Sequence, residues 1–244
     1  MKFGSETPTP ITSTFTFSPV NLATLGATEY TLVGVTADRS GSVRDFAREM
    51  EKALKEIVSA CRKSPRADNL LLRLTRFDHQ IEEIHGFRQL ADCTTDAYDG
   101  ILEARGTTSL YDAALNSVEA VAGQGAKLIA EEYSANAIVF VITDGLDYCG
   151  STATPGEVKK AIQRAMKAEC LESIVTVLIG VNVQESMVAD ALKRFSTEAG
   201  FTQYVELADA NASSLAKLAS FVSRSISSQS QSLGTGGPSK ALTF

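Results

Sequence analysis

Three short segments of the 244-residue chain place oxygen-bearing side chains where a metal ion could be held. They read Asp38-Arg39-Ser40-Gly41-Ser42, Gly106-Thr107-Thr108-Ser109-Leu110-Tyr111-Asp112 and Thr143-Asp144-Gly145. Together they offer Asp38, Ser40, Ser42, Thr108 and Asp144: carboxylates and hydroxyls, with no sulfur or imidazole. Such a set selects a hard divalent cation, and magnesium takes six oxygens in near-octahedral geometry while keeping several waters. Gly41 leaves the bend uncrowded, so Ser40 and Ser42 can point the same way. Asp38 and Asp144 neutralise the ion. With hydroxyls and waters in the remaining positions, the metal stays receptive to an anionic oxygen from outside, such as a partner's acidic side chain. Each residue also has a plainer role available. Ser42 could N-cap a helix, and Thr108 or Ser109 could cap the next, with Asp112 completing a box. Asp144 ahead of Gly145 could form a turn, and Asp38 could be an ordinary strand-end acid. Their conjunction at one edge of a sheet outweighs those readings.

An alternation of strands and helices creates that edge. The runs 31–36 (TLVGVT), 70–77 (LLLRLTRF), 137–143 (AIVFVIT) and 173–179 (SIVTVLI) are short and almost continuously apolar, as in strands covered on both faces. Helical spacing links Val43, Phe46, Met50, Leu54, Ile57 and Cys61, then Val158, Ala161, Ile162, Ala165 and Met166. It recurs in Met187, Val188, Ala191, Leu192 and Phe195, which stop at Gly200, and in Leu215, Leu218 and Val222. Thr154-Pro155-Gly156-Glu157 reads as a capping box with Pro in the first turn. The segment 81–87 (IEEIHGF) follows its predecessor after only Asp78-His79-Gln80, a connection that allows a hairpin and no crossover. The expected architecture is α/β: a doubly wound, mostly parallel sheet with one antiparallel edge strand. In such a sheet, ligands bind beyond the carboxyl ends of the strands, where the three segments lie.

Residues 1–27 form an arm, possibly an added strand, since Ile11, Ser13, Phe15 and Phe17 would share a face. Residues 28–228 form the domain. The Ser-, Gln- and Gly-rich stretch 229–244 reads as a flexible tail, with Leu242 and Phe244 apolar enough to dock. A net charge of −6 argues against a nucleic-acid or anionic-membrane surface. No apolar run approaches a bilayer span and the first ten residues hold no signal core, so a cytoplasmic location is expected. The four cysteines, at 61, 93, 149 and 170, lack zinc-site spacing and read as separate thiols.

An enzyme needs a nucleophile or a base. Ser40 stands where a haloacid-dehalogenase phosphatase would carry its second Asp, and no Gly-x-Ser-x-Gly or Gly-x-Gly-x-x-Gly follows a strand. Gly234-Thr235-Gly236-Gly237-Pro238-Ser239-Lys240 lacks the preceding strand of a phosphate loop. His79 and His85 read as surface residues of the hairpin. No catalytic residue is assigned and the chain is expected not to be an enzyme. Metal-assisted hydrolysis stays a minor alternative.

Asp38-Arg39-Ser40-Gly41-Ser42 resembles the DxSxS signature of von Willebrand factor type A (vWA) domains. Thr108 and Asp144 follow at 70 and a further 36 positions, where that family places its later metal-site residues. The segments 106–113 and 143–147 resemble the flanking family patterns, and the likeness runs over roughly 27–228. The usual Gly-Gly-Thr stands here as Gly106-Thr107-Thr108. The resemblance implies a metal-ion-dependent adhesion site for Mg²⁺ or Mn²⁺. Ser40, Ser42 and Thr108 would bind the ion directly, Asp38 and Asp144 would act through water, and a partner's Asp or Glu carboxylate would complete the shell. Arg39, Asp147 and Tyr148, with Cys149, would form the rim that contacts the partner. By resemblance, that partner is a protein such as an AAA+ ATPase or another component of a multi-protein system. The alternative is a vWA scaffold with a vestigial metal site and metal-independent interactions.

Overall fold

The computed structural model describes residues 9–10, 15–148, 150–167, 170–237, 239 and 241–244. Strands β1 (Thr9–Pro10) and β2 (Thr16–Phe17) form a small antiparallel pair. The body then runs β3 (Glu29–Asp38), α1 (Ala47–Arg62), β4 (Leu70–Phe77), β5 (Ile81–Gln89) and α2 (Leu110–Ala130). It continues through β6 (Ser134–Thr143), α3 (Pro155–Lys167), β7 (Ile174–Gly180), α4 (Ser186–Ala199), β8 (Gln203–Glu206) and α5 (Ala212–Thr235). The sheet order is β5-β4-β3-β6-β7-β8, and only the β4–β5 pair is antiparallel.

Burial on both faces explains the near-continuous apolar strands. Val33, Val35 and Ala37 of β3 face α1 and α5, whereas Leu32 faces the layer of α2, α3 and α4. The Thr154–Glu157 capping box forms in both directions: Glu157 N donates to Thr154 Oγ1 at 3.3 Å and Thr154 N to the Glu157 carboxylate at 2.8 Å. Gly200 ends α4 in the left-handed conformation. Met166 and Met187, expected on apolar stripes, are instead exposed. Strand β8 was not anticipated. Four residues are too few to show a period, and it exists through its pairing with β7.

The arm crosses the sheet edge as a strap. Phe17 is buried edge-on against Phe87, Phe87 N donates to Ser18 O at 2.9 Å, and Ser18 N donates to the Glu83 carboxylate. A Cβ at Gly86 would stand 2.3 Å from Ser18, so only glycine admits the strap. Ile11 and Ser13 lie outside the described residues. The expected tail begins too early at 229. Helix α5 continues to Thr235 because Gln229 is buried, its amide donating to Ala137 O and Ser173 Oγ. Tertiary packing thereby overrides the modest helix propensity of the Ser-rich sequence. Beyond it, Leu242 packs on the core and the Phe244 ring meets Phe221 at 5.4 Å.

His85, expected on the surface, is buried between Tyr98 Oη (3.0 Å) and Gly86 O (2.9 Å), and burial pushes its imidazole down to about 4. Among the described residues no helix is long and apolar enough to cross a membrane.

Helix α2 passes so close to the 170–171 segment that a Cβ at Gly125 would lie 2.4 Å from Cys170 O. A Gly→Ala change inside a helix ordinarily gains up to about 1 kcal/mol. Here the sign should reverse: Gly125→Ala is expected to cost about 1–3 kcal/mol. The reading is a lower urea midpoint at unchanged m-value, and an unchanged or higher midpoint would refute the close approach.

Candidate metal centre

Asp38 ends the central strand β3 with its side chain fully buried. Its Oδ1 accepts from Ser40 N at 2.7 Å, which tightens the turn, and its Oδ2 accepts from Thr143 Oγ1 at 2.6 Å, at the end of the neighbouring β6. Burial pushes this carboxyl up to about 7 against the Thr143 hydrogen bond, and the charge of Asp144 adds to the rise. Beyond the turn, the chain enters a 3₁₀ helix over Gly41–Asp45. Ser40 Oγ and Ser42 Oγ stand 3.0 Å apart, and Ser42 Oγ donates to Asp144 Oδ1 at 2.9 Å. Asp144 is half-buried, and burial raises its carboxyl too. Gly41 N donates to Gly106 O at 3.2 Å, joining the first loop to the second. Gly106 takes φ +70, a backbone that L side chains resist. Thr108 is buried and its carbonyl accepts from Tyr148 N at 2.9 Å, joining the second loop to the third.

The three loops surround an open cavity of about 330 Å³, whose lining includes Ser40, Ser42, Thr107, Thr108, Leu146 and Tyr148. Asp38 lies behind it, and Asp144 reaches it through Ser42.

The donor chemistry fits a hard divalent cation. Two carboxylates are held above their ordinary range with no cationic side chain hydrogen-bonded or ion-paired to either among the described residues. The Ser40–Ser42 oxygen separation of 3.0 Å is close to the ~2.9 Å edge of an oxygen octahedron of magnesium size. No cluster of three or more His, Cys, Asp or Glu side chains suited to a metal occurs among the described residues, so hydroxyls must share the work here.

Other expected site residues fall differently. Arg39, expected on the rim, is 1% exposed: its guanidinium pairs with the buried Asp78 and with Glu82 at the hairpin. Asp147 turns inward, accepting from Tyr111 N at 3.2 Å and from Ser151. It therefore caps α2 in place of the anticipated Ser109–Asp112 box, because Asp112 is engaged by Thr152 N and Ala153 N. Ser42 caps no α-helix. Tyr148 alone of the proposed rim stands out, at 70% exposed, and Cys149 lies outside the described residues. The sequence reading gave Thr143 no role of its own and placed His79 on the surface of the hairpin, where its side chain is half exposed. Thr143 is legible as a strand-end hydroxyl beside Asp144. His79 sits against the site loop, since a Cβ on Gly106 would meet its Nδ1 at 2.7 Å.

No protein-family model and no curated protein matches the sequence. Solved structures share its architecture. A D319A mutant of the PilB minor pilin from Streptococcus sanguinis superposes with a TM-score of 0.61 at 14% identity, over 88% of this chain and 65% of the pilin. The pilus adhesin SpaC from Lactobacillus rhamnosus GG superposes with a TM-score of 0.60 at 12% identity, over 83% of this chain and 31% of the adhesin. Proximal thread matrix protein 1 from the mussel byssus gives 0.55 at 17% identity, over 83% of this chain and 46% of that one. The fold is vWA-like. A second structure of the byssus protein, at 0.51 and 18% identity over 80% of this chain and 47% of that one, is described with a zinc-occupied MIDAS motif. The vWA-like chain thus spans about two thirds of the pilin and under half of the adhesin and the byssus protein.

Proposed function

We propose that this vWA-like chain is a binding protein, not an enzyme, that captures an acidic side chain of a protein partner through Mg²⁺ or Mn²⁺. The observation that carries this reading is the hydrogen-bonded run Asp38–Ser40–Ser42–Asp144, whose serines line a cavity at the carboxyl ends of β3 and β6. The bound cation would supply an electrophilic position for a carboxylate. Ser40, Ser42 and Thr108 would hold it, with Asp38 and Asp144 balancing charge through water. Tyr148 would flank the entering side chain. The zinc-occupied MIDAS of the byssus protein supports a divalent ion in general, and the pilus and byssus neighbours support protein partners. Those neighbours lend nothing to a cytoplasmic location.

Titration calorimetry with MnCl₂ tests the reading. The wild type is expected to bind one ion, Ser42→Ala and Asp144→Ala at least tenfold more weakly. Linkage requires that a carboxylate probe, N-acetylglutamate amide, raise manganese affinity by the factor by which manganese raises its own. No manganese binding by the wild type at millimolar concentration would leave only a metal-independent scaffold.

A further inference from the structure

We propose that the groove between α1 and the 99–104 segment is the second half of the partner site, and that it receives an extended acidic segment whose carboxylates alternate along the chain. This rests on the metal-capture reading for the position of the first carboxylate and on separate residues for the rest. The groove has a volume of about 770 Å³. One wall carries Arg44, Arg48, Lys52 and Lys55, spaced along one side of α1 and the turn before it. The facing wall is fixed by Glu51, whose buried carboxylate accepts from Gly100 N at 3.1 Å and Leu102 N at 2.7 Å. Lys55 is paired with Asp99 at one end, and Lys52 lies 3.9 Å from Glu49. Arg44 and Arg48 are exposed and have no ion pair or hydrogen bond among the described residues. Glu103, exposed on the facing wall and likewise unpaired, biases incoming carboxylates toward the α1 side. In a chain of net charge −6, this groove holds four cationic side chains against the three acids Glu51, Asp99 and Glu103.

Continuity ties the groove to the metal centre. Arg44 follows Ser42 by two residues, Ala104 precedes Gly106 by two, and the Gly41–Gly106 hydrogen bond joins the walls where they meet the site. Spacing then selects the ligand. Arg44 lies in the 3₁₀ turn beside Ser42 and Arg48 in the first turn of α1, so the two follow in order from the metal site along the groove wall, and every second residue of an extended chain advances about 6.6 Å on one side. A carboxylate at the metal, with further ones two and four residues on, can therefore meet Arg44 and Arg48 in turn.

Fluorescence anisotropy with a labelled alternating glutamate–serine peptide carrying three glutamates, against a control keeping only the first, tests this. In Mg²⁺ the wild type is expected to bind the peptide at least tenfold tighter than the control. The double variant Arg44→Glu/Arg48→Glu, both sites being exposed, is expected to lose that tenfold while keeping wild-type melting and binding manganese no more weakly than the wild type. Asp144→Ala is expected to lose the magnesium-dependent gain and to retain weaker, salt-sensitive binding that the double charge reversal abolishes. If wild-type binding is equal in Mg²⁺ and EDTA yet falls on charge reversal, the groove stands and metal capture fails. Equal affinities of wild type and double variant, equal affinities for peptide and control, or a preference for inorganic tripolyphosphate would each overturn the proposal.

Discussion

In EDTA at pH 8, Asp38→Asn is expected to melt about 5 °C above the wild type, and saturating magnesium is expected to reverse that order. The reason is the environment of the carboxyl. Burial holds Asp38 at about 7, well above the ordinary carboxylate range, so the folded state binds a proton more tightly than the unfolded one. A carboxyl raised in this way supports the fold below its unfolded value, and its contribution is lost as pH rises through the folded value. At pH 8 the whole cost of the buried anion is present, about 3–6 kcal/mol if the shift is taken to within a unit, and asparagine is expected to recover about 2 kcal/mol of it. Asparagine removes the charge and keeps the shape: its oxygen can accept from Ser40 N, and its amide can donate to Thr143 Oγ1, which also lies 3.1 Å from Gly145 O. At about 2–4 °C per kcal/mol for a chain of this size, a gain of about 2 kcal/mol gives the stated shift. A cation inverts the balance by using the anion. At a hundredfold excess over its dissociation constant, one ion adds about 2.7 kcal/mol to the wild type, or roughly 5–10 °C, and nothing to the variant. Melting curves at pH 5 and pH 8, with EDTA and with magnesium, give the comparison, and at pH 5 the metal-free gap should largely close. A variant less stable than wild type at pH 8 in EDTA would show that the buried carboxylate is already compensated.

Arg39→Ala is expected to cost about 3–5 kcal/mol, since it strips a buried charge of its partner. Arg39 sits between the fully buried Asp78 and the half-buried Glu82, with its Nε 3.1 Å from Asp78 Oδ2. Arg105 approaches the same two acids, with Nε 3.3 Å from Asp78 Oδ2, but is half exposed and cannot replace the buried cation. Asp78 also holds the hairpin turn and the approach to the second site loop, through Gln80 N and through its carbonyl to Ser109 N. The loss should therefore reach the metal centre, weakening manganese binding as well as lowering the melting point. Arg39→Lys is expected to recover only part, because a single ammonium cannot span two carboxylates as a planar guanidinium does. Wild-type stability in Arg39→Ala would place the network's weight on Arg105.

Local features were readable from the chain alone. Residues 31–36, 70–77 and 137–143 show their strands because burial on both faces forces continuous apolarity. Thr154 with Glu157, and Gly200, show a helix start and a helix stop because capping is settled within four residues. The oxygen inventory was equally plain, as was the end of the sheet on which it lies. Only tertiary structure decided where the side chains of those loops point. Asp38 meets Thr143 across 105 residues and Ser42 meets Asp144 across 102. Arg39 was drawn under the surface by Asp78 and Glu82, and Asp147 was recruited to cap α2. His85, strand β8 and the last turns of α5 were settled likewise, by packing against distant strands and helices. A side chain's periodicity and turn chemistry are set by its neighbours in sequence. Its burial and its partners depend on which distant segments the sheet brings beside it.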